Sequence, residues 1–304
     1  MRYGSICSGI EGASVAWCAL NWQPAWFSEV DPFCCELLRK RYSSVENLGD
    51  ATAIQSAPAI DLLVGGTPCQ SFSIQGLRRG MDDARGNLLA HFCRILGKVR
   101  PRWIVWENVP GVMSTNGGRD FGSLLGALDE FGYGWCYRVL DARYFGLAQR
   151  RKRVFVVGHF RDWRSAAAVL LEQRGTGEHC PAPEEISEED PARLSLFAGD
   201  RTWGWTGDET PKFGYEITPT LRAYQGGEGV GVLRNGVMRR LTVKEWERLQ
   251  GFPDGYTAIE FNGKPASDKQ RTTALGNSFP VPVLRWIGER IAFVERVVRC
   301  RSHQ

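Results

Sequence analysis

Asp61-Leu62-Leu63-Val64-Gly65-Gly66-Thr67-Pro68-Cys69-Gln70-Ser71-Phe72-Ser73 is the stretch from which the rest of the chain can be read. Asp61 to Val64 is a short apolar run ending in two glycines, the pattern of a buried strand stopped by a turn. Pro68 stiffens that turn, and Cys69 stands at its tip. A cysteine just beyond a strand end can be exposed enough to react, whereas a cysteine in a core is inert. Most intracellular cysteines only pack, so Cys69 gains meaning from what accompanies it elsewhere in the chain.

Outward from this strand, strand-like and helix-like segments alternate through residue 160. Tyr3 to Cys7 reads as a first strand, followed by the tight loop Ser8-Gly9-Ile10-Glu11-Gly12 and a helix from Ala13 to Leu20. Ala25 to Ser28 is a second strand ending at Glu29, and Pro32 to Arg41 a helix with proline in its first turn. Val45 to Leu48 is a third strand ending at Asp50. After the strand that leads to Cys69 come a helix from Asn87 to Lys98 and a fifth strand, Trp103 to Trp106, ending at Glu107-Asn108. Val154 to Val157 is a last strand. The alternation predicts an α/β fold with a parallel sheet covered by helices on both faces. In such sheets ligands bind outside the carboxyl ends of the strands. Gly9, Glu29, Asp50, Cys69 and Glu107 all fall at such ends, so they converge on one edge. Each alone has a plain reading, a helix cap or a turn glycine; five together favour a site.

Composition bounds the rest. With 304 residues, 43% of them hydrophobic and 24% charged, the chain suits one large globular domain or two unequal ones. A net charge of +4 points only weakly to a polyanionic partner. The nine cysteines are odd in number and lack disulfide or metal-ligand spacing, which predicts a reducing cytoplasm and no bound metal. The uncharged stretch from Gly12 to Ser28 contains Asn21, Gln23 and Pro24 and is no membrane span, and Glu11 interrupts the one candidate secretory region. Beyond residue 160 the alternation stops. Glu178 to Asp190 is acidic with no Lys or Arg, a solvated loop. Regular structure resumes with a helix over Leu241 to Leu249 begun by Thr242. Val283, Ile287, Ile291, Val294 and Val298 then mark an amphipathic C-terminal helix.

The loop Ser8 to Gly12 is not the Gly-x-Gly-x-x-Gly of dinucleotide binders, and Glu11 would repel a pyrophosphate. A carboxylate after strand two can bind ribose hydroxyls, and Asp50 can accept from an adenine amine. A cofactor with a positive centre and no phosphate, S-adenosylmethionine, is therefore expected. A thiolate beside it suits pyrimidine C5 chemistry. Addition to C6 makes C5 enamine-like, provided an acid or hydrogen bond at ring N3 keeps charge off the ring. A carboxyl group whose pKa is raised by burial would serve, and Glu107 between Trp106 and Val109 is so placed. Arginines near the ring O2 would add electrostatic stabilisation.

With these residues in view, the chain resembles the C5-cytosine DNA methyltransferases of bacterial and phage type over nearly its whole length. Ser8-Gly9-Ile10-Glu11-Gly12 resembles the cofactor loop of that family, Gly66-Thr67-Pro68-Cys69-Gln70 its Pro-Cys motif and Glu107-Asn108-Val109 its Glu-Asn-Val motif. Gln149, Arg151 and Arg153 match Gln-x-Arg-x-Arg. Arg240-Leu241-Thr242 through Gln250-Gly251-Phe252-Pro253 resembles the motif supporting the recognition domain, and Gly276-Asn277-Ser278 the final motif, where the chain returns to the cofactor. Two positions depart: Cys7 stands where the family often has an aromatic, and Glu11 where glycine is common.

The resemblance implies a Rossmann-like S-adenosylmethionine-dependent methyltransferase sheet with a smaller target-recognition domain. Residues 1–160, completed by 275–304, would be catalytic, and 161–274 would read the target. It implies catalytic roles for Cys69, Glu107, Arg151 and Arg153. Cofactor contacts would come from Cys7, Ser8, Gly9, Ile10, Glu11, Glu29, Val30, Asp50, Ala51, Gly66, Pro68, Leu88, Asn277 and Ser278. DNA contacts would come from Gln70, Ser71, Ser73, Arg85, Asn108 and Gln149, with residues 70–87 as a loop closing over a flipped base. Eight Lys or Arg between Arg138 and Arg164 face only Asp141 and Asp162, a composition suited to phosphate. Arg222 and Arg234 are the candidate guanine readers, because arginine bonds bidentately to O6 and N7. The expected partner is double-stranded DNA, met by a monomer, with a cognate restriction nuclease left open. Three rivals stay in play. A transfer-RNA cytosine methyltransferase would share these motifs. A non-catalytic relative would have lost one of the catalytic residues, and a thiol hydrolase would need a histidine base, which no matched motif contains.

Overall fold

The computed structural model describes residues 1–67, 88–171, 201–205, 212–215, 218, 220–221, 229–234 and 237–301. Pro68, Cys69, Gln70, Ser71, Ser73, Arg85 and Arg222 lie outside the described residues, as do the expected closing loop and the acidic run Glu178 to Asp190. The backbone divides into two compact units. One comprises Met1–Val139, Arg153–Gln173 and Arg285–Gln304, the other Leu140–Lys152 and Arg174–Leu284.

The first unit is built on a sheet of seven strands: β1 (Arg2–Ile6), β2 (Gln23–Ser28), β3 (Glu46–Asn47), β4 (Leu62–Gly65), β5 (Trp103–Asn108), β6 (Tyr133–Asp141) and β7 (Lys152–Phe160). Their order is β3-β2-β1-β4-β5-β7-β6. From β1 the chain winds outward to β3, then returns to start β4 on the other side of β1. That reversal is the switch point at which open α/β sheets form their ligand crevice. Strands β1 to β5 pair in parallel, as the sequence predicts. The sheet is not parallel throughout, because β7 runs antiparallel to β5, with Glu107 opposite Phe155 and Asn108 opposite Val154. Strand β6, rather than a crossover helix, precedes the segment leading into β7, so the constraint that makes βαβ units parallel is absent there. The sequence reading had no β6. Its half-buried residues show no clean alternation to betray it.

Helices α1 (Gly12–Trp17), α2 (Pro32–Arg41), α3 (Leu88–Val99), α4 (Arg119–Glu130) and α5 (Trp163–Leu170) connect and flank these strands. α2 shows why such segments become helical. The Asp31 carboxylate accepts from Cys34 N at 2.9 Å, Pro32 occupies the first turn, and Arg39, Lys40 and Arg41 complement the negative end of the dipole. Trp26, Leu63, Phe92, Ile104, Trp106 and Val154 share one core cluster. The long helix α8 (Val281–Arg301) buries Ile287 and Ile291, as its spacing predicts, while Val298 is exposed. Glu295 on α8 accepts from Trp103 Nε1 and from Arg102 Nη1, each at 2.8 Å.

The second unit contains strands where none was expected. β8 (Arg201–Trp205), β9 (Lys212–Tyr215), β10 (Gly229–Arg234) and β11 (Val237–Arg240) form an antiparallel sheet in the order β11-β10-β8-β9. Glycines alternate with the large residues in β8 and β10, which masks the period of two that marks a strand. Helix α6 (Val243–Gln250) begins, as expected, at Thr242, which forms a reciprocal capping box with Glu245. Gly251 ends it at φ 81°, and a Cβ there would lie 2.5 Å from Pro282 Cδ, so both conformation and space require glycine. Helix α7 (Asp268–Asn277) opens with a second capping box, Ser267 and Gln270. Among the described residues no helix is long and apolar enough to cross a membrane.

Candidate active site

At the carboxyl end of β1 the backbone turns through left-handed conformations at Cys7 (φ 53°), Gly9 (φ 56°) and Glu11 (φ 59°). Ser8 anchors this turn: its hydroxyl donates to Ser5 O at 2.9 Å and accepts from Ser28 N at 3.2 Å. Gly9 N donates to Glu29 Oε2 at 2.6 Å, so the acid after β2 is fastened to the loop after β1. Glu29 Oε1 also accepts from Val30 N and Asp31 N at 2.8 Å. Asn47 supports it from β3, accepting from Glu29 N at 3.0 Å and donating to Glu29 O at 3.1 Å. Asn47 was missed in the sequence; an Asx side chain three residues before a strand-end acid was the available signal.

The remaining cofactor candidates gather around this turn. Asp50 is exposed and accepts from Thr52 N at 2.8 Å, while Arg94 donates to Ala51 O and Thr52 O at 3.1 and 2.9 Å. Arg94 is a second supporting residue that carried no sequence signal. Cys7 is close enough to Glu29 and Asp50 to register both: burial pushes its thiol up to about 12, and the two carboxylates add to the rise. Cys7 therefore stays a neutral thiol. Val30 is 64% exposed, Ile10 and Ala51 are buried, and Gly66 and Leu88 are half-buried. A Cβ built on Gly9 would meet nothing within 4 Å, so the loop borders open space. Two carboxylates at adjacent strand ends beside an open glycine suit the hydroxyls and amine of a nucleoside. They do not suit a polyphosphate, so these residues fit S-adenosylmethionine.

Glu11 plays a different part from the one its charge suggested. It is fully buried and turned under the loop, where Oε1 accepts from Ser14 N at 3.1 Å, Ser14 Oγ at 3.2 Å and Tyr3 OH at 3.3 Å. Burial pushes its carboxyl up to about 7. It caps α1 from inside rather than presenting a charge to a ligand, so repulsion of pyrophosphate does not come from an exposed Glu11.

On the other side of the switch point, β5 grips the stem of the Pro-Cys segment. Trp106 Nε1 donates to Thr67 Oγ1 at 3.1 Å and Asn108 Nδ2 to Thr67 O at 2.8 Å, two residues before Cys69. Asn108 is 5% exposed, and its amide oxygen accepts from Val109 N at 2.8 Å. Between these two anchors, Glu107 pairs with Arg153 of β7, Nε to Oε1 at 3.0 Å. Burial disfavours charge on a carboxyl group and a guanidinium favours it, so both influences named by the sequence meet on this side chain.

Within the second unit, Gln149 and Arg151 are placed otherwise. Gln149 is 0% exposed; its Oε1 accepts from Leu221 N at 3.0 Å and its Nε2 donates to Leu249 O at 2.8 Å. Arg151, 2% exposed, donates from Nη1 to Leu221 O at 2.9 Å, and from Nη2 to Gly276 O and Ser278 O at 3.1 and 2.7 Å. Asn277 is exposed and Ser278 buried. Of the basic run, Arg150, Lys152, Arg161 and Arg164 are exposed, whereas Arg138 donates to Leu170 O and Arg143 pairs with Asp141. Arg234 is the last residue of β10. Among the described residues no cluster of His, Cys, Asp and Glu could hold a metal ion.

Comparison with known proteins agrees with this geometry. The family model for C-5 cytosine-specific DNA methylase matches residues 1–194 and 201–292. The type II methyltransferase M2.BsuMI of Bacillus subtilis is 30% identical, over 96% of this chain and 75% of its own length. A protein of Escherichia phage P1 named DNA N-6-adenine-methyltransferase is 30% identical over 95% of this chain, which spans 61% of that protein. The Dnmt2 methyltransferase of S. pombe has the same fold, with a TM-score of 0.65 at 15% identity, covering 98% of this chain and 99% of its own. The chain belongs to the C-5 cytosine-specific DNA methylases, enzymes of Rossmann-like fold that depend on S-adenosylmethionine.

Proposed function

We propose that this chain flips a cytosine out of double-stranded DNA and methylates it at C5, with Cys69 as nucleophile, Glu107 as the acid at N3 and Arg153 as the electrostatic support. One observation carries the assignment of roles. The strand that bears Glu107 also holds the stem of the cysteine segment through Trp106 and Asn108, so acid and thiol are referred to the same backbone. Cys69 Sγ bonds to C6 while Glu107 holds a proton against N3, leaving an enamine with its electron density at C5. S-adenosylmethionine, when bound, supplies an electrophilic methyl group. Glu29, Asp50, Asn277 and the Ser8–Glu11 loop hold that cofactor. After methylation the C5 proton leaves to base, the enamine re-forms the C5–C6 double bond and the Cys69 thiolate departs. Arg153 keeps Glu107 oriented and lies near the ring O2, where charge develops.

The division into a catalytic domain of 1–160 with 275–304 and a target-recognition domain of 161–274 supports this reading. Within the latter, residues 200–238 are the reader, with Arg222 and Arg234 on guanine and exposed basic residues such as Arg150 and Arg161 on phosphates. The protein acts in the cytoplasm as a monomer, alongside a cognate nuclease where one exists.

The name of the phage relative favours a second reading, methylation of an adenine amine. An exocyclic amine needs no thiolate addition, so a cysteine at a strand end speaks for cytosine. Plasmid DNA incubated with the protein and S-adenosylmethionine, then sequenced after bisulfite treatment, tests both. Protected cytosines at a short site of about two to four base pairs are expected, since each base pair read needs its own groove contacts. Full conversion of every cytosine, with methyl label found on adenine, would overturn the assignment.

A further inference from the structure

Gln149 and Arg151 match a motif whose residues were expected on the substrate, yet neither has the exposure to reach one. Every bond given for their side chains goes to the protein itself, and the partners fall in two places. One is residues 218–221: Leu221 N and O are held by Gln149 and Arg151, Arg150 N donates to Thr218 O at 2.8 Å, and Thr218 N donates to Ala148 O at 2.9 Å. The other is the end of α7: Gly276 O and Ser278 O are held by Arg151, and Leu275 O by Gln250, whose side chain lies 3.5 Å from Gln149 Nε2. The first segment leads directly into Arg222, the second into Asn277. One buried guanidinium fork therefore spans the approach to the reader and the approach to the cofactor. A fork of five donors in a plane can do this, whereas a lysine ammonium is one point.

The geometry points to Gln149 and Arg151 as positioning residues that couple cofactor occupancy to target reading through these carbonyls, rather than as contacts on the cytosine. The inference rests on the methyltransferase reading above. Only Arg153, facing the other way along the same segment, belongs beside the reacting ring.

The full chain with Arg151→Lys tests the assignment against Arg153→Lys. The expected result for Arg151→Lys is a cofactor Kd, measured by calorimetry without DNA, raised by about fivefold or more, on the scale of a lost charge-assisted hydrogen bond. Its bisulfite pattern should also be relaxed at one position, and its kcat should fall less than that of Arg153→Lys. An unchanged cofactor Kd and pattern, with kcat reduced as far as in Arg153→Lys, would overturn the assignment. Should Arg151→Lys not fold, hydrogen exchange on the wild type decides. Adding S-adenosylmethionine should slow exchange of the Leu221 amide, which Gln149 Oε1 accepts. Cofactor binding with no change at Leu221 overturns the coupling alone; no cofactor binding at all overturns the coupling and the function together.

Discussion

The strand ends of the first unit and the Gln149–Arg151 segment of the second use polar side chains in opposite ways. At the ends of β1, β2 and β3, backbone amides and Asn47 orient Glu29, and the open side of Gly9 and the exposed Asp50 remain for a ligand. Around Arg151 the side chains themselves are consumed in holding backbone, and nothing polar faces outward. The difference teaches that membership of a sequence motif does not make a residue a contact. Arg151 and Arg153 stand two residues apart in one motif. One clamps three carbonyls, and the other meets Glu107 at 3.0 Å.

The comparison can be broken most decisively at the thiol. Cys69→Ser should lose detectable methyl transfer while cofactor and DNA binding survive. Wild type should be trapped covalently by DNA carrying 5-fluorocytosine, because fluorine cannot leave as a proton. Capture of the serine variant, or failure to capture the wild type, would remove Cys69 from the mechanism. Next comes Glu107→Gln, which keeps shape and loses the proton. Turnover should drop by roughly 10²–10⁴-fold, the range of general acid catalysis, and single-turnover kinetics would reveal whether it does.

Glu11 tests whether a polar group under the loop acts by structure alone. Its carboxyl is raised from 4.5 to about 7 by burial, so the folded protein holds that proton more tightly than the unfolded chain. Stability from this group is complete below the unfolded value and is lost as pH rises through the folded one. That loss is about 3 kcal/mol across the window, at about 1.4 kcal/mol per pH unit. Glu11→Gln should flatten the fall in melting temperature between about pH 4.5 and 7, relative to wild type. Identical slopes would count against a titrating Glu11. The smallest effect expected is on cofactor affinity. Glu29→Ala loses the ligand's acceptor and also the anchor of Gly9 N, whereas Asp50→Ala frees only Thr52 N besides the ligand contact. Calorimetry should therefore show the larger loss for Glu29→Ala, by about 1 kcal/mol over Asp50→Ala for the extra hydrogen bond. Equal losses would mean that the anchor contributes nothing.

Much of the first unit was legible because the signal was local. Apolar runs ending in glycine or an acid located β1, β2, β4 and β5, and Asp31-Pro32 and Thr242 marked helix starts that the structure keeps. Strand direction is not a local property. The antiparallel β7 follows from the missing crossover helix, and the residues of β6 carry no alternation that would have exposed it. The sheet of β8 to β11 was hidden for a similar reason, glycine taking the place of one face. At the site, the groups that would meet a ligand were found from chemistry. Those that hold them were not: Asn47, Arg94 and Thr67 act through backbone carbonyls and amides whose proximity depends on the folded chain. Glu11 and Arg151 were read as outward charges because sequence gives a residue's type and not its depth.

The bonds from Trp103 Nε1 and Arg102 to Glu295 have a consequence for synthesis on the ribosome. Trp103 is buried at the start of a central strand, and its indole donor is matched by a carboxylate 192 positions later. A buried donor without an acceptor is costly, so the nascent chain cannot close this layer when β5 emerges. The half-made protein must wait, with its tryptophan uncovered, until the last helix is translated. Release of an active enzyme is thereby timed to near-completion of the polypeptide, and chains terminated early are left as clients for chaperones and proteases.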